Sequence, residues 1–333
     1  MGLRVAVYGL GEIGRILART ALRRGHELVG AVDIDPKLLG RDVGEILGVE
    51  KMGVEVTKDV EKGLSGCEVV LHATGSYLSA VYGQLVDAIR LGKSVVSTCE
   101  TLAYPYHRYP VLARRLDDLA KSRGSTVIGS GINPGFLLDA LAVVLSTPLP
   151  ILKKIKAKRS LDASKRRRSF IEKIGLGLDP SELLRGLESG RYTGHVGYAE
   201  SVCIIADAAS LSLTRIEEKQ EPIVAEDEIR LGDLTIGKGM VRGLRGFAAG
   251  YANGVERIRV EFEAAALAPE YEEIVIEGED HSIAWRSSGT PGDLGTASVI
   301  LSIAEKLDQM PYGLLTMADL IPFRIRFEGS AKL

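Results

Sequence analysis

Three glycines, in the run Gly9-Leu10-Gly11-Glu12-Ile13-Gly14, stand between an apolar stretch, Arg4–Tyr8, and a helical pattern, Ile13–Arg24. The spacing alone says little, but at a strand-to-helix turn it restricts the chain to few folds. The first glycine permits a tight turn, the second lets the backbone approach a pyrophosphate, and the third lets helix and strand pack closely. Unbonded N–H groups at the helix start then favour an anion. Apolar runs recur at Leu28–Val32, Val69–Ala73, Ser94–Thr98 and Thr126–Gly129, with helical patterns at Ser79–Leu91 and Pro110–Arg123. Strands alternating with such helices form βαβ units, whose right-handed crossovers give a parallel, doubly wound α/β sheet. Residues 1–145 are therefore expected to form a dinucleotide-binding domain of the Rossmann type.

Past about residue 150 the pattern changes. Leu152–Leu161, Arg215–Ala225, Met240–Tyr251, Glu256–Ala266 and Glu272–Ile276 alternate as strands do, interrupted by helical stretches at Pro180–Leu187 and Ala199–Ala209. Strands without regular crossover helices point to a second, mainly antiparallel α+β domain over 146–300. A last helix, Leu294–Leu307, precedes a turn at Met310-Pro311-Tyr312-Gly313. Residues 301–333 form a C-terminal segment able to return to the first domain. A chain of 333 residues also exceeds what one core usually serves.

Charge and composition exclude several classes of function. Lys and Arg number 42 against 44 Asp and Glu, so neither nucleic acid nor an anionic membrane is an expected partner. Aromatic residues, at 5%, are too few for a base-stacking platform. The three cysteines, Cys67, Cys99 and Cys203, form no CxxC pair, and no two of the five histidines stand at HxxxH spacing. That pattern predicts a reduced interior and no metal site. Met1 to Arg4 lead straight into a strand without a signal-type apolar region, which predicts a cytoplasmic protein. Two asparagines and three glutamines in the whole chain suggest a thermophile's avoidance of labile amides.

Asp33 follows the second strand at the place where an acid binds a ribose 2′-hydroxyl. It would repel a 2′-phosphate, and Ile34, Asp35 and Pro36 follow it rather than arginine. NAD is thus preferred over NADP, although Lys37 and Arg41 are near. Ligands of parallel sheets lie beyond the carboxyl ends of the strands, which adds Ala73-Thr74-Gly75 and Cys99 to the expected cofactor contacts. Glu100 ends the next strand, where it serves either as an ammonium-binding group and general base or as an ion-paired strand-end acid. Asn133 lies in the loop Gly129-Ser130-Gly131-Ile132-Asn133-Pro134-Gly135-Phe136, as a ligand contact or a turn residue before proline. Tyr104 walls a pocket or belongs to a plain loop. Ten of the 21 residues from Lys153 to Lys173 are basic. Most suit a solvated strand face, with Arg159 and Arg167 open to a substrate carboxylate or cofactor phosphate. His195 is either a backbone-satisfied loop histidine or a donor in the substrate pocket.

These residues carry a resemblance. The stretches GLGEIG at 9–14, CETLAYP at 99–105, GSGINPGFLLD at 129–139, RSLDASKRRR at 159–168, GHVGYAES at 194–201 and ADAASLSLTRIEEKQEPIVA at 206–225 resemble the 2,4-diaminopentanoate dehydrogenase and native amine dehydrogenase group, relatives of dihydrodipicolinate reductase. The resemblance implies a Rossmann domain joined to a substrate and dimerisation domain, hence a homodimer. It implies reversible oxidative deamination of a small amine, diamine or amino acid with NAD(P). Glu100 would activate water for attack on the imine, with Asn133, Arg159 and His195 near the substrate. Thr101 stands where the group often has a second acid, Ile34 and Asp35 where basic residues often follow, and 292–297 match only loosely. The paired histidines of true dihydrodipicolinate reductases are absent. Two alternatives stand beside this one: an imine or carbonyl reductase of the dihydrodipicolinate-reductase or homoserine-dehydrogenase type, and a non-catalytic dinucleotide sensor.

Overall fold

The computed structural model describes residues 2–232 and 234–329. The chain divides into two units, Met1–Phe136 with Pro291–Leu320, and Leu137–Thr290 with Ile321–Leu333.

In unit 1 the glycine turn follows strand β1 (Arg4–Tyr8), and the next strands are β2 (Glu27–Val32), β3 (Val56–Thr57), β4 (Val69–His72), β5 (Ser94–Ser97) and β6 (Thr126–Gly129). With a seventh strand, Gly313–Leu315, they form one sheet. Its order is Gly313–Leu315, β6, β5, β4, β1, β2, β3, and every pair is parallel. This is the doubly wound order, with β1 at the point where the strand sequence reverses. Val5 to Val7, Val70, Leu71, Val95 and Val96 are wholly buried, as strands covered on both faces require. Helix α1 (Glu12–Arg23) buries Gly14, Leu17, Ala18 and Ala21, a single stripe at helical spacing. The helix Pro110–Arg123 begins on a proline and ends against Gly124 in the left-handed region.

Unit 2 is built on a six-stranded sheet of β7 (Leu152–Asp162), β8 (Arg215–Val224), β9 (Val241–Ala252), β10 (Val255–Ala265), β11 (Tyr271–Gly278) and β12 (Ser282–Ser287). Their order is β12-β11-β7-β10-β9-β8. All neighbours are antiparallel except β7 and β10. β9 and β10 turn through Asn253-Gly254, both at positive φ, the geometry a two-residue hairpin needs. The helix Tyr198–Ala208 packs on β8, β9 and β10, while alternate residues such as Arg245, Arg259 and Glu261 face away from it. The tail rejoins this unit: Leu152 N–H donates to the Arg326 carbonyl and Glu328 N–H to that of Leu152, both at 2.8 Å.

The boundaries differ from those expected at 145/146 and 300/301. The helix Ala140–Ser146 belongs to unit 2 because it packs on β7, β11 and the helix Tyr198–Ala208. Buried Asp139 caps it through Ala140 N–H and accepts the Ser201 hydroxyl at 2.6 Å. The helix expected over Leu294–Leu307 spans Gly292–Ala304 and returns to α1, where Arg24 and His26 both reach Glu305. The segment expected over 301–333 is therefore split, residues to Leu320 joining unit 1 and the rest unit 2. Ser330 to Leu333 lie outside the described residues.

Candidate active site

Gly9, at φ +95°, leaves β1, and α1 starts on Gly11 with no side-chain cap. A Cβ on Gly14 would lie 1.7 Å from the Gly9 carbonyl oxygen, so only glycine lets the helix pass this close to the turn. Around Gly11 the same construction meets nothing within 4 Å. Open space over an uncapped helix start is what a pyrophosphate requires, so these residues fit a dinucleotide. Leu10 is wholly buried, and its N–H donates to Asp33 Oδ2 at 2.6 Å, while Asp35 N–H donates to Oδ1 at 2.8 Å. Asp33 thus braces the turn as well as standing at the end of β2. Glu12 is exposed and Ile13 half-buried.

The carboxyl ends of β4 and β5 are bound to each other. Thr101 N–H donates to the Ser76 carbonyl at 3.1 Å, and Leu78 N–H donates to Thr101 Oγ1 at 2.8 Å. Ala73 and Gly75 are half-buried and Thr74 is exposed. The Cys99 thiol is wholly buried in the core, and burial, aided by the Glu100 carboxylate, pushes its pKa up to about 12.

Glu100 opens a short 3-10 turn, Glu100–Leu102, and is half-buried. That turn packs directly on the end of β6, for a Cβ on Gly129 would lie 2.4 Å from the Leu102 carbonyl carbon. The loop bearing half-buried Asn133 departs from the same glycine; its Asn133–Pro134 peptide is cis, and Ile132 N–H donates to Thr296 Oγ1 at 3.2 Å. Tyr104 is half-buried and meets Tyr106 edge-on at 5.9 Å. Unit 1 therefore brings Glu100, Tyr104 and Asn133 to the ends of β5 and β6, two and three strands from the glycine turn.

Arg159 and His195 lie in unit 2. The Arg159 side chain is 3% exposed; its Nε lies 3.1 Å from Glu272 Oε1, and Nη2 donates to the Thr290 carbonyl at 2.7 Å. Glu272, 1% exposed, also accepts from Thr290 N–H, Thr290 Oγ1 and the Ser287 hydroxyl. His195 stacks on Phe262 at 4.2 Å and meets Tyr198 edge-on at 4.7 Å. Burial, then the positive charges of Lys173 and Arg159, push its pKa down to about 3, so it is a neutral imidazole. The main-chain N–H of His195 donates to Gln220 Oε1 at 2.8 Å. Arg167 donates to Ser169 Oγ at 2.7 Å.

Glu272, His72 and Gln84 did not stand out in the sequence, and Thr101 did so only as a departure from the resembled group. The short amide inventory was the one available signal for Gln84. Among the described residues no group of three His, Cys, Asp or Glu could hold a metal, and no helix is long and apolar enough to cross a membrane.

A family model described as the 2,4-diaminopentanoate dehydrogenase C-terminal domain matches residues 136–331. One described as the dihydrodipicolinate reductase N-terminus matches residues 3–99. A 2,4-diaminopentanoate dehydrogenase of Acetoanaerobium sticklandii is 29% identical over 335 residues, 96% of this chain and 93% of its own. A 4-hydroxy-tetrahydrodipicolinate reductase of Prochlorococcus marinus is 32% identical over 139 residues, 40% of this chain and 47% of its own. An amine dehydrogenase structure from Mycobacterium smegmatis matches with a TM-score of 0.85 at 23% identity, over 98% of both chains. A dipicolinate-bound dihydrodipicolinate reductase from Paenisporosarcina sp. TG-14 matches with a TM-score of 0.53 at 14% identity, over 96% of this chain and 100% of that one.

Proposed function

We propose that this chain, which belongs to the 2,4-diaminopentanoate dehydrogenase family and is an NAD(P)-dependent dehydrogenase acting on a CH–NH2 donor, catalyses reversible oxidative deamination of a small amine, diamine or amino acid. Glu100 is its ammonium-binding group and general base. The observation that supports this most is the position of Glu100, the third residue past β5, on a turn packed against Gly129 where the Asn133 loop begins.

Gly9, Gly11, Gly14 and the start of α1 would hold the cofactor phosphates, and Asp33 the adenosine ribose. The bound nicotinamide supplies a hydride acceptor for the carbon that carries nitrogen. Glu100 first holds the substrate ammonium, takes a proton from it and releases that proton to solvent, leaving the amine free for oxidation to an iminium. It then accepts a proton from the water that attacks the iminium carbon, passes it to the nitrogen of the resulting carbinolamine, and takes the hydroxyl proton as the C–N bond breaks, leaving ketone and ammonia. Asn133 and Tyr104 orient the amine, with Arg159 and His195 as the substrate contacts of unit 2. A neutral His195 can donate one hydrogen bond to a carbonyl without adding charge.

In the same reading the protein prefers NAD, because a 2′-phosphate would meet Asp33. It is a homodimer in the cytoplasm, in keeping with thiols rather than disulfides at Cys67, Cys99 and Cys203. Linked ion pairs of Lys154, Lys156 and Arg259 with Glu256 and Glu261 on the outer sheet face support a thermophilic origin. Glu100→Gln decides the central assignment. It should bind NADH as the wild type does while losing about a hundredfold or more in amine-dependent NADH formation. Turnover retained in that variant would sink the role of Glu100. NADH-dependent reduction of an imine or carbonyl with no amine oxidation would favour a reductase instead.

A further inference from the structure

A buried imidazole lies between the ends of β4 and β5, on one side of the glycine turn. His72 closes β4 and is 1% exposed. Its Nδ1 lies 2.8 Å from Ser97 Oγ at the end of β5. Its Nε2 lies 2.8 Å from Gln84 Oε1, on the helix Leu78–Arg90, and 2.9 Å from Thr74 Oγ1. One arrangement of protons satisfies these contacts. The Gln84 oxygen can only accept, so Nε2 carries the proton, and Nδ1 accepts from the Ser97 hydroxyl. The Ser97 oxygen is then left to accept from Cys99 N–H, at 3.1 Å. The chain of donors thus runs from Cys99, the residue before Glu100, through Ser97 and His72 to Gln84.

We propose that His72 is a positioning residue for Glu100: a neutral imidazole that ties the Ala73–Ser76 loop and the Gln84 helix to the backbone amide immediately before the base. This rests on the assignment of Glu100 as base. A leucine would fill a core position without the cost of burying two ring nitrogens, a cost offset here only because both are hydrogen-bonded. Of the groups bonded to them, Ser97 and Thr74 belong to the two strand ends that Thr101 also joins through Ser76 and Leu78, and Gln84 to the helix that follows. Burial pushes the His72 pKa down to about 4, so the arrangement persists throughout the neutral range. The ionisable groups around it are Tyr8 on β1, edge-on to the ring at 5.6 Å, Asp87 acting on Tyr8, and Cys99 and Glu100 beyond β5. A proton on Nδ1 would oblige Ser97 to turn its hydroxyl away and weaken its hold on the Cys99 amide.

The test compares Ser97→Ala, Gln84→Leu and Gln84→Glu, all with Glu100 intact. Ser97→Ala and Gln84→Leu should each lower kcat by about tenfold, with amine KM and the Kd for NADH within about twofold of wild type. Gln84→Glu keeps an acceptor for Nε2–H but sets a carboxylate beside the ring, which raises the imidazole pKa. Its kcat should approach wild type at alkaline pH and fall through a new acidic limb that the wild type lacks. In the protein without cofactor, nitrogen NMR of His72 should show the Nε2–H tautomer. Lowered melting temperatures with unchanged kcat and unchanged pH profiles would make His72 a core histidine and overturn the proposal, as would the opposite tautomer. Glu100→Gln judges the base assignment separately, since none of these variants alters that carboxylate.

Discussion

Replacing Glu272 by alanine should be among the most destabilising single changes in unit 2. The substitution removes the carboxylate 3.1 Å from Arg159 Nε, with the guanidinium side chain only 3% exposed. It also strips acceptors from Thr290 N–H, Thr290 Oγ1 and the Ser287 hydroxyl. Breaking a buried pair by removing one partner typically costs about 3–5 kcal/mol, because the remaining charge keeps its desolvation penalty without its counter-charge. The orphaned hydroxyls and amide add to this, but they share one network, so their separate values do not sum. Arg159→Met combined with Glu272→Leu removes both charges, and should return stability to within about 1 kcal/mol of wild type. Urea unfolding followed by circular dichroism measures all three differences. A loss below about 1 kcal/mol for Glu272→Ala, or a double variant as unstable as the single, would refute the reasoning. The double variant also isolates substrate binding, for a folded protein with raised amine KM would show that Arg159 serves the substrate beyond its structural pairing.

Two further outcomes follow from titration and from the cofactor turn. His72 and His195 have folded-state pKa values of about 4 and about 3, below the ordinary 6.5. The unfolded chain therefore takes up protons first as acid is added. Stability is complete above pH 6.5 and falls as the pH drops towards 4 for His72 and 3 for His195, with His72 alone contributing roughly 3 kcal/mol. A urea midpoint that stays flat between about pH 7 and 5, above the range of most carboxylates, would contradict this. Asp33→Asn keeps one side-chain acceptor for the glycine turn but removes the charge. It should raise the Kd for NADH by about tenfold and shift the NADPH-to-NADH Kd ratio towards NADPH. An unchanged ratio in fluorescence titrations, or a wild-type Kd for NADPH well below that for NADH, would refute the role given to Asp33.

What the sequence disclosed was whatever local chemistry dictates. The glycine turn, Asp33 at the end of β2 and the buried strands beside them are written in adjacent residues, so the parallel sheet could be read directly. The second sheet was also legible as alternation, with its mainly antiparallel pairing. Boundaries were not legible, because the helix Ala140–Ser146 is assigned to unit 2 by what it packs against, and periodicity does not report that. The strand Gly313–Leu315 has three residues, too few to show a period, and falls where a turn was expected. Arg159 suggested a ligand contact because its charge is visible in the sequence, while its partner Glu272 lies on another strand, β11. His72 passed as one residue of the apolar run Val69–Ala73, since its partners Ser97 and Gln84 come from separate elements.

The return of the chain to unit 1 has a consequence for how the protein is made. The residues through Phe136 leave the ribosome with every cofactor glycine in place, yet β6 then has no neighbour on its outer side. Its cover, the strand Gly313–Leu315, arrives only after Leu137–Thr290 of unit 2 has been synthesised, as does the helix Gly292–Ala304 that packs on α1. Throughout that interval the nascent first unit offers an unpaired strand edge and an uncovered apolar helix face, the two features that draw incomplete chains together. The domain synthesised first is thus the one completed late, and the passage at risk is the wait for its own C-terminal pieces.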